Sequence, residues 1–241
     1  MNTSHNVTRM ASLLALLFTS LLISCSSGNI VSAPTAPKDH TLKIGDRFTY
    51  HDYLTDTTGS TIPGTDTTTT AIVTGTGLVV QGRTNVVEIN KGTDIIRFVK
   101  ITDSSFARLQ DQISVSDASL PAMWVEFDPA ISMKTVIDTT MNCTISGMQA
   151  TARTIIITKY LGKGSVMLSG QTILTYRFSK EVRVVVNVLG TNYTTTVTAT
   201  NEYAPSIGYL TQNNAQTMSD SQYSPYPNGT RYSILQSYSL Q

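Results

Sequence analysis

The stretch "QTILTYRFSKEVRVVVNVL", residues 171–189, constrains the chain more than any other. Its even positions Leu174, Tyr176, Phe178, Val182, Val184, Val186 and Val188 are apolar, with Lys180 the exception. Most odd positions are polar: Thr175, Arg177, Ser179, Glu181, Arg183 and Asn187. A period of two is the signature of a half-buried antiparallel strand, and no helix can present that row on one face. The spacing predicts one long strand, or two strands bent at "SKE".

The same grammar runs through the rest. "KIGDRFTYHDYL" is a strand with Phe48, Tyr50 and Asp52 on one face and Arg47, Thr49 and His51 on the other. "TTTTAIVTGTGLVV", "GRTNVVEIN" and "IIRFVKIT" follow, the first with a bend expected at Gly75 and Gly77. Past "DSSFARLQ" the alternation fails, and the segment around Trp124 carries no clear period. "KTVIDTTMNCTIS", "QATARTIIITKYLG" and "KGSVMLS" read as successive strands. "LGTN" turns into "YTTTVTATNEY". "YAPSIGYL" is a tight turn into a short strand, "QNNAQTMSDSQYSPYPNG" a polar loop, and "TRYSILQSYSL" a closing strand. "TTTTAIVTGTGLVVQGRTNVVEI" overlays loosely on "ARTIIITKYLGKGSVMLSGQTILTYRF". The expected fold class is therefore all-β, an antiparallel, strongly curved sheet or half-barrel built from two similar β-meanders, with little helix.

The N-terminus has a different logic. Residues 1–10 carry one cation, Arg9, and no acid, and residues 11–23 are mostly apolar. A membrane-spanning helix needs about 20 apolar residues, and this run is shorter. A cationic start and a short apolar run ending in small residues describe a signal peptide, residues 1–24. Leu22-Ile23-Ser24-Cys25 resembles a bacterial lipobox. The resemblance implies that the Cys25 thiol is diacylated, the chain is cut before it, and the new amino group is acylated. Several acyl chains give stable anchoring, at about 0.8 kcal/mol per buried CH₂. Ser26 after the cysteine is compatible with the outer membrane, which is favoured over the inner. Residues 25–41 read as lipidated cysteine and Ser/Pro/Ala-rich tether, and residues 42–241 as the β-domain, with candidate halves 42–120 and 130–241.

"IGDRFTY" near the start and "NEYAPSIGYL" near the end carry a second resemblance. They are similar to the opening and closing motifs of a broad set of uncharacterised bacterial envelope proteins, many of them lipoproteins with a β-meander domain. The resemblance implies a curved sheet with a last strand after the closing motif, here "YSILQSYSL", and no defined activity. Ser206 stands where glycine is usual, and Tyr209-Leu210 replaces a more aliphatic pair.

Chemistry is sparse. Net charge is +1 and charged residues are 14% of the chain, so no basic face is offered to nucleic acid. With Cys25 acylated, Cys143 has no partner for an intramolecular disulfide, and only His40 and His51 follow Cys25 as candidate bases. "GKGS" is a turn, since a phosphate loop needs more glycine before the lysine and a helix after it. Asp56 and Asp66 could serve a loop calcium site, although Thr-rich loops are usually just solvated. Glu126 and Asp128 share one face of a strand, as a glycosidase pair would, but an i, i+2 pair is common by chance. No cofactor and no metal are expected.

The main expectation is a non-catalytic module, held to the membrane by its lipid and binding an apolar ligand or envelope protein. Leu174, Tyr176, Phe178, Val184 and Val186 would form its face. The alternatives are an envelope hydrolase using Glu126 and Asp128, and a structural surface protein with no ligand.

Overall fold

The structure, a computed structural model, describes residues 39–220 and 228–241. The signal segment, Cys25, most of the tether, Tyr223 and Tyr226 lie outside them. The described elements are strands: β1 (Arg47–Thr55), β2 (Thr67–Val80), β3 (Arg83–Lys91), β4 (Asp94–Lys100), β5 (Phe106–Gln110), β6 (Ile113–Val115), β7 (Ala118–Leu120), β8 (Met123–Phe127), β9 (Met133–Ile145), β10 (Met148–Leu168), β11 (Gln171–Val188), β12 (Thr191–Ala204), β13 (Tyr209–Ser219) and β14 (Gly229–Ser239).

Twelve strands form one antiparallel sheet in the order β8-β5-β4-β3-β2-β1-β14-β13-β12-β11-β10-β9. It is nearly closed and barrel-like. β6 and β7 make a separate hairpin. The order describes two meanders, one from β1 to β8 and one from β9 to β14, joined where β1 pairs with β14. The first meander runs through β8, so Trp124 belongs to it rather than to a segment between halves.

The core is aromatic. Phe106 stacks on Phe98 at 5.2 Å and on Phe127 at 4.7 Å, and meets Phe178 edge-on at 5.7 Å. Tyr203 and Tyr209 pack beside Phe98. These rings also explain how the two edge strands meet. Phe127 of β8 lies edge-on to Phe178 of β11, and Tyr160 of β10 packs on the same ring. Outside the seam, Lys134 of β9 reaches Glu126 of β8 at 3.2 Å.

Three departures from the expected strands have local causes. "QATARTIIITKYLG" and "KGSVMLS" are one 21-residue strand, β10, and not two. The chain absorbs the interruption as a bulge at Leu161, where Gly162 takes φ +109°. Opposite the bulge the inward face of β11 changes parity. Phe178 points in above it, Ile173 and Thr175 point in below it, and Leu174 is left 49% exposed. The second departure is β13, which continues through "QNNAQTMS" where a loop was expected. Its inward residues are Asn213 and Ala215, opposite Asn201 and Ala199, so the polar composition reflects a polar interior. In β14 the buried residues are Ser233 and Leu235, while Tyr232 of the apolar row stacks on Tyr53 at 4.7 Å.

Candidate functional site

Above the aromatic core the interior turns polar and cationic. Lys180, the one break in the apolar row of β11, sits between Thr158 of β10 and Ala199 of β12. Its ammonium donates to Gln110 Oε1 at 2.5 Å. Arg108, two residues before Gln110 on β5, pairs with Phe98 and Val125, so it shares their inward face. Arg108, Gln110, Lys180 and Asn201, with Leu109, Val125, Phe127 and Ala199, line a partly open cavity of about 20 Å³. Burial pushes the Lys180 ammonium down to about 8, and Arg108 adds repulsion that Asp111 partly offsets.

A third interior cation is matched. Lys91 Nζ lies 2.8 Å from Asp52 Oδ1, 2.5 Å from Ser233 Oγ and 4.4 Å from the centre of the Tyr50 ring. Burial opposes ionisation of Asp52, but hydrogen bonds from Lys91, Ser233 and Thr69 outweigh it and hold the carboxyl below its usual range.

From the cationic floor a strip of half-exposed residues continues along the same face: Val182 beside Val197, then Val184 beside Thr195. Val186 leads on to a second small cluster with Cys143, Ala150 and Ala152 beneath the β6–β7 hairpin. The five residues expected to form one binding face are therefore divided. Phe178 is in the core, Tyr176 packs against it, Val184 and Val186 lie on the strip, and Leu174 is on the outside.

The other candidates are each held locally. Glu126 is paired with Arg83 and Lys134, and the hydrogen bond from Arg83, then that from Lys134, keeps its carboxyl below the usual range. Asp128 Oδ1 accepts the N–H of Ala130 at 2.9 Å in the turn before β9. A cavity of about 10 Å³ beside both carboxylates has room for one water at most. His51 lies 2.7 Å from Asp66, and Asp56 accepts the backbone N–H groups of Thr58 and Ser60. Cys143 is buried, and burial, aided by Asp117, pushes its thiol up. Among the described residues no group of three His, Cys, Asp or Glu side chains is placed to hold a metal ion.

The two sequence motifs meet. Phe48 packs on Tyr209 at 5.1 Å, and the Tyr50 hydroxyl donates to the carbonyl of Leu210 at 2.7 Å. His40 N–H donates to Pro205 O at 3.1 Å. Asp46 is fully buried, with Oδ2 2.7 Å from His40 Nε2 and 2.8 Å from the Lys43 N, and Oδ1 accepting from the Gln241 N–H at 2.7 Å. Opening strand, closing turn and last residue are thus one structural unit.

Sequence reasoning passed over Arg108, Gln110 and Asn201. Arg108 and Gln110 lie where the alternation was lost, in a strand of only five residues. Lys180 did leave a signal, as the charge in an apolar row.

No family model matches this chain, and neither does any curated protein or solved structure.

Proposed function

We propose that the protein is a lipid-anchored protein of the bacterial envelope, on the outer membrane in preference to the inner, and that it works by binding rather than by catalysis. The observation that carries this reading is the apolar run ending in Leu22-Ile23-Ser24-Cys25. The opening and closing motifs support it, since their mutual contacts give a physical reason for such motifs to occur together in one β-meander domain. The binding surface is the strip from Lys180 through Val182 and Val184 to Val186, facing an apolar ligand or a segment of an envelope protein. Packed aromatic rings fill the lower interior, so the ligand lies along the strip and not within the core.

The test is intact mass spectrometry of protein from the membrane fraction, wild type beside Cys25→Ala. A mass starting at Cys25 plus acyl chains, lost in the variant, supports anchoring. An unacylated mass removes it. The hydrolase reading has less support, because Glu126 is paired with two cations and a general acid needs a raised pKa. Glu126→Gln distinguishes the two: an envelope hydrolysis lost in this variant would revive the hydrolase.

A further inference from the structure

Two interior cations lack a counter-charge. Among the described residues, no carboxylate lies within 4.0 Å of Lys180 or Arg108, although ten such pairs exist elsewhere. The acid that acts on Lys180 is Asp111, which is solvent-exposed. Lys91 shows the contrast, since the same interior gives it Asp52. The Lys180 and Arg108 side chains are both half-buried, and drawing a charge even partly out of water is unfavourable unless something compensates it.

Donor geometry points the same way. An ammonium has three N–H donors, and Gln110 takes one from Lys180. A guanidinium has five, and the Arg108 side chain makes no hydrogen bond among the described residues. Both side chains line one cavity with the amides of Gln110 and Asn201, and its walls are otherwise Leu109, Val125, Phe127 and Ala199. The volume of about 20 Å³ admits one group of about the size of a water molecule. Unsatisfied donors, uncompensated positive charge and single-atom room define the occupant by chemistry.

We propose that this cavity is an anion site, in which Lys180 and Arg108, assisted by the amide N–H₂ of Asn201, hold a monovalent anion of chloride size. Bound there, the anion takes the place that Asp52 has beside Lys91. It also fixes the floor of the strip described above, so a ligand on the strip meets a neutralised floor. The site stands independently of the membrane anchor.

The test uses the full chain in a neutral detergent. Sodium gluconate is exchanged for sodium chloride at constant ionic strength, and Tm is followed; gluconate is too large for the cavity. With chloride tenfold above its dissociation constant, Tm should rise by about 3 °C. In Lys180→Met the rise should vanish. Crystals soaked in bromide should show an anomalous peak between Lys180 and Arg108. The wild-type comparison stands even if the variant does not fold. Equal Tm in the two salts, or no bromide at that place, overturns the proposal. A bromide peak with no chloride-specific shift in Tm means an adventitious ion only, and overturns it as well.

Discussion

The hydroxyl of Tyr50 donates to the carbonyl oxygen of Leu210 at 2.7 Å, across a separation of 160 residues. Both groups are buried, so the bond joins the first strand to the start of β13 inside the protein. Tyr203 offers a contrast within the same core, because its buried hydroxyl has no hydrogen-bond partner among the described residues.

Tyr50→Phe should therefore cost about 1–2 kcal/mol, since it strands a buried carbonyl as well as losing a bond. Tyr203→Phe should be neutral or slightly stabilising, because it removes only an unpaired polar group. Urea unfolding of the two variants side by side decides the matter. Equal losses would mean that ring packing, and not the hydroxyl, governs both.

Asp46 sets an acid limit on stability. Burial opposes its ionisation, but the N–H groups of Lys43 and Gln241 and the His40 ring outweigh it, so the carboxyl ionises below its usual 3.8. A lowered folded pKa contributes stability that is present above the unfolded value and lost as pH falls through the folded one. The wild type should weaken as pH drops below about 4, and Asp46→Asn should flatten part of that slope. At neutral pH Asp46→Asn should cost about 2–3 kcal/mol, because charge-assisted hydrogen bonds are lost. A pH series of denaturation midpoints for both proteins measures it.

Gly208 is the position in the closing turn where no other residue fits. Its φ is +76°, and a Cβ there would stand 2.6 Å from the carbonyl oxygen of His40. Gly208→Ala should cost about 2–4 kcal/mol from left-handed strain and the backbone clash together. Ser206→Gly, in the same turn, should change stability by less than about 1 kcal/mol. Calorimetry of the two variants checks the difference.

Lys180 acts at the other end of the pH scale. Its folded pKa of about 8 is below the ordinary lysine value of 10.5. The unfolded chain thus binds the proton more tightly between those values, and stability rises with pH across that window. Lys180→Met should remove the rise. Near neutral pH in low chloride the variant should be as stable as the wild type or more so, by up to about 3 kcal/mol, because a half-buried uncompensated charge is replaced by an apolar chain of similar length. Midpoints measured from pH 7 to 10.5 test the sign, and a loss of stability in the variant at every pH would refute it.

Much of the sheet was legible because period two is a backbone property. The row from Phe178 to Val188 and the opposed faces of β1 could be read directly. Register shifts could not. Nothing in "TKYLGKG" announces that the strand continues through a bulge and exchanges its faces, and that exchange takes Leu174 out of the expected site. β13 was hidden for a related reason. Its inward residues are Asn and Ala, because the interior there is a polar layer, and a hydrophobic pattern cannot mark a strand whose buried face is polar. Arg108 lies on a strand too short for a period to show.

The pairing of β1 with β14 sets an order of events. β14, the latest strand of the sheet in chain order, is the neighbour of β1, so a chain emerging from its N-terminus can zip β1 to β5 but cannot join its two meanders until β14 arrives. Long-range pairing of this kind is slow to nucleate. Until then the open edge of β1 is exposed, so the half-made chain depends on whatever keeps that edge from finding another strand, and completion of the sheet is a single late event rather than gradual growth.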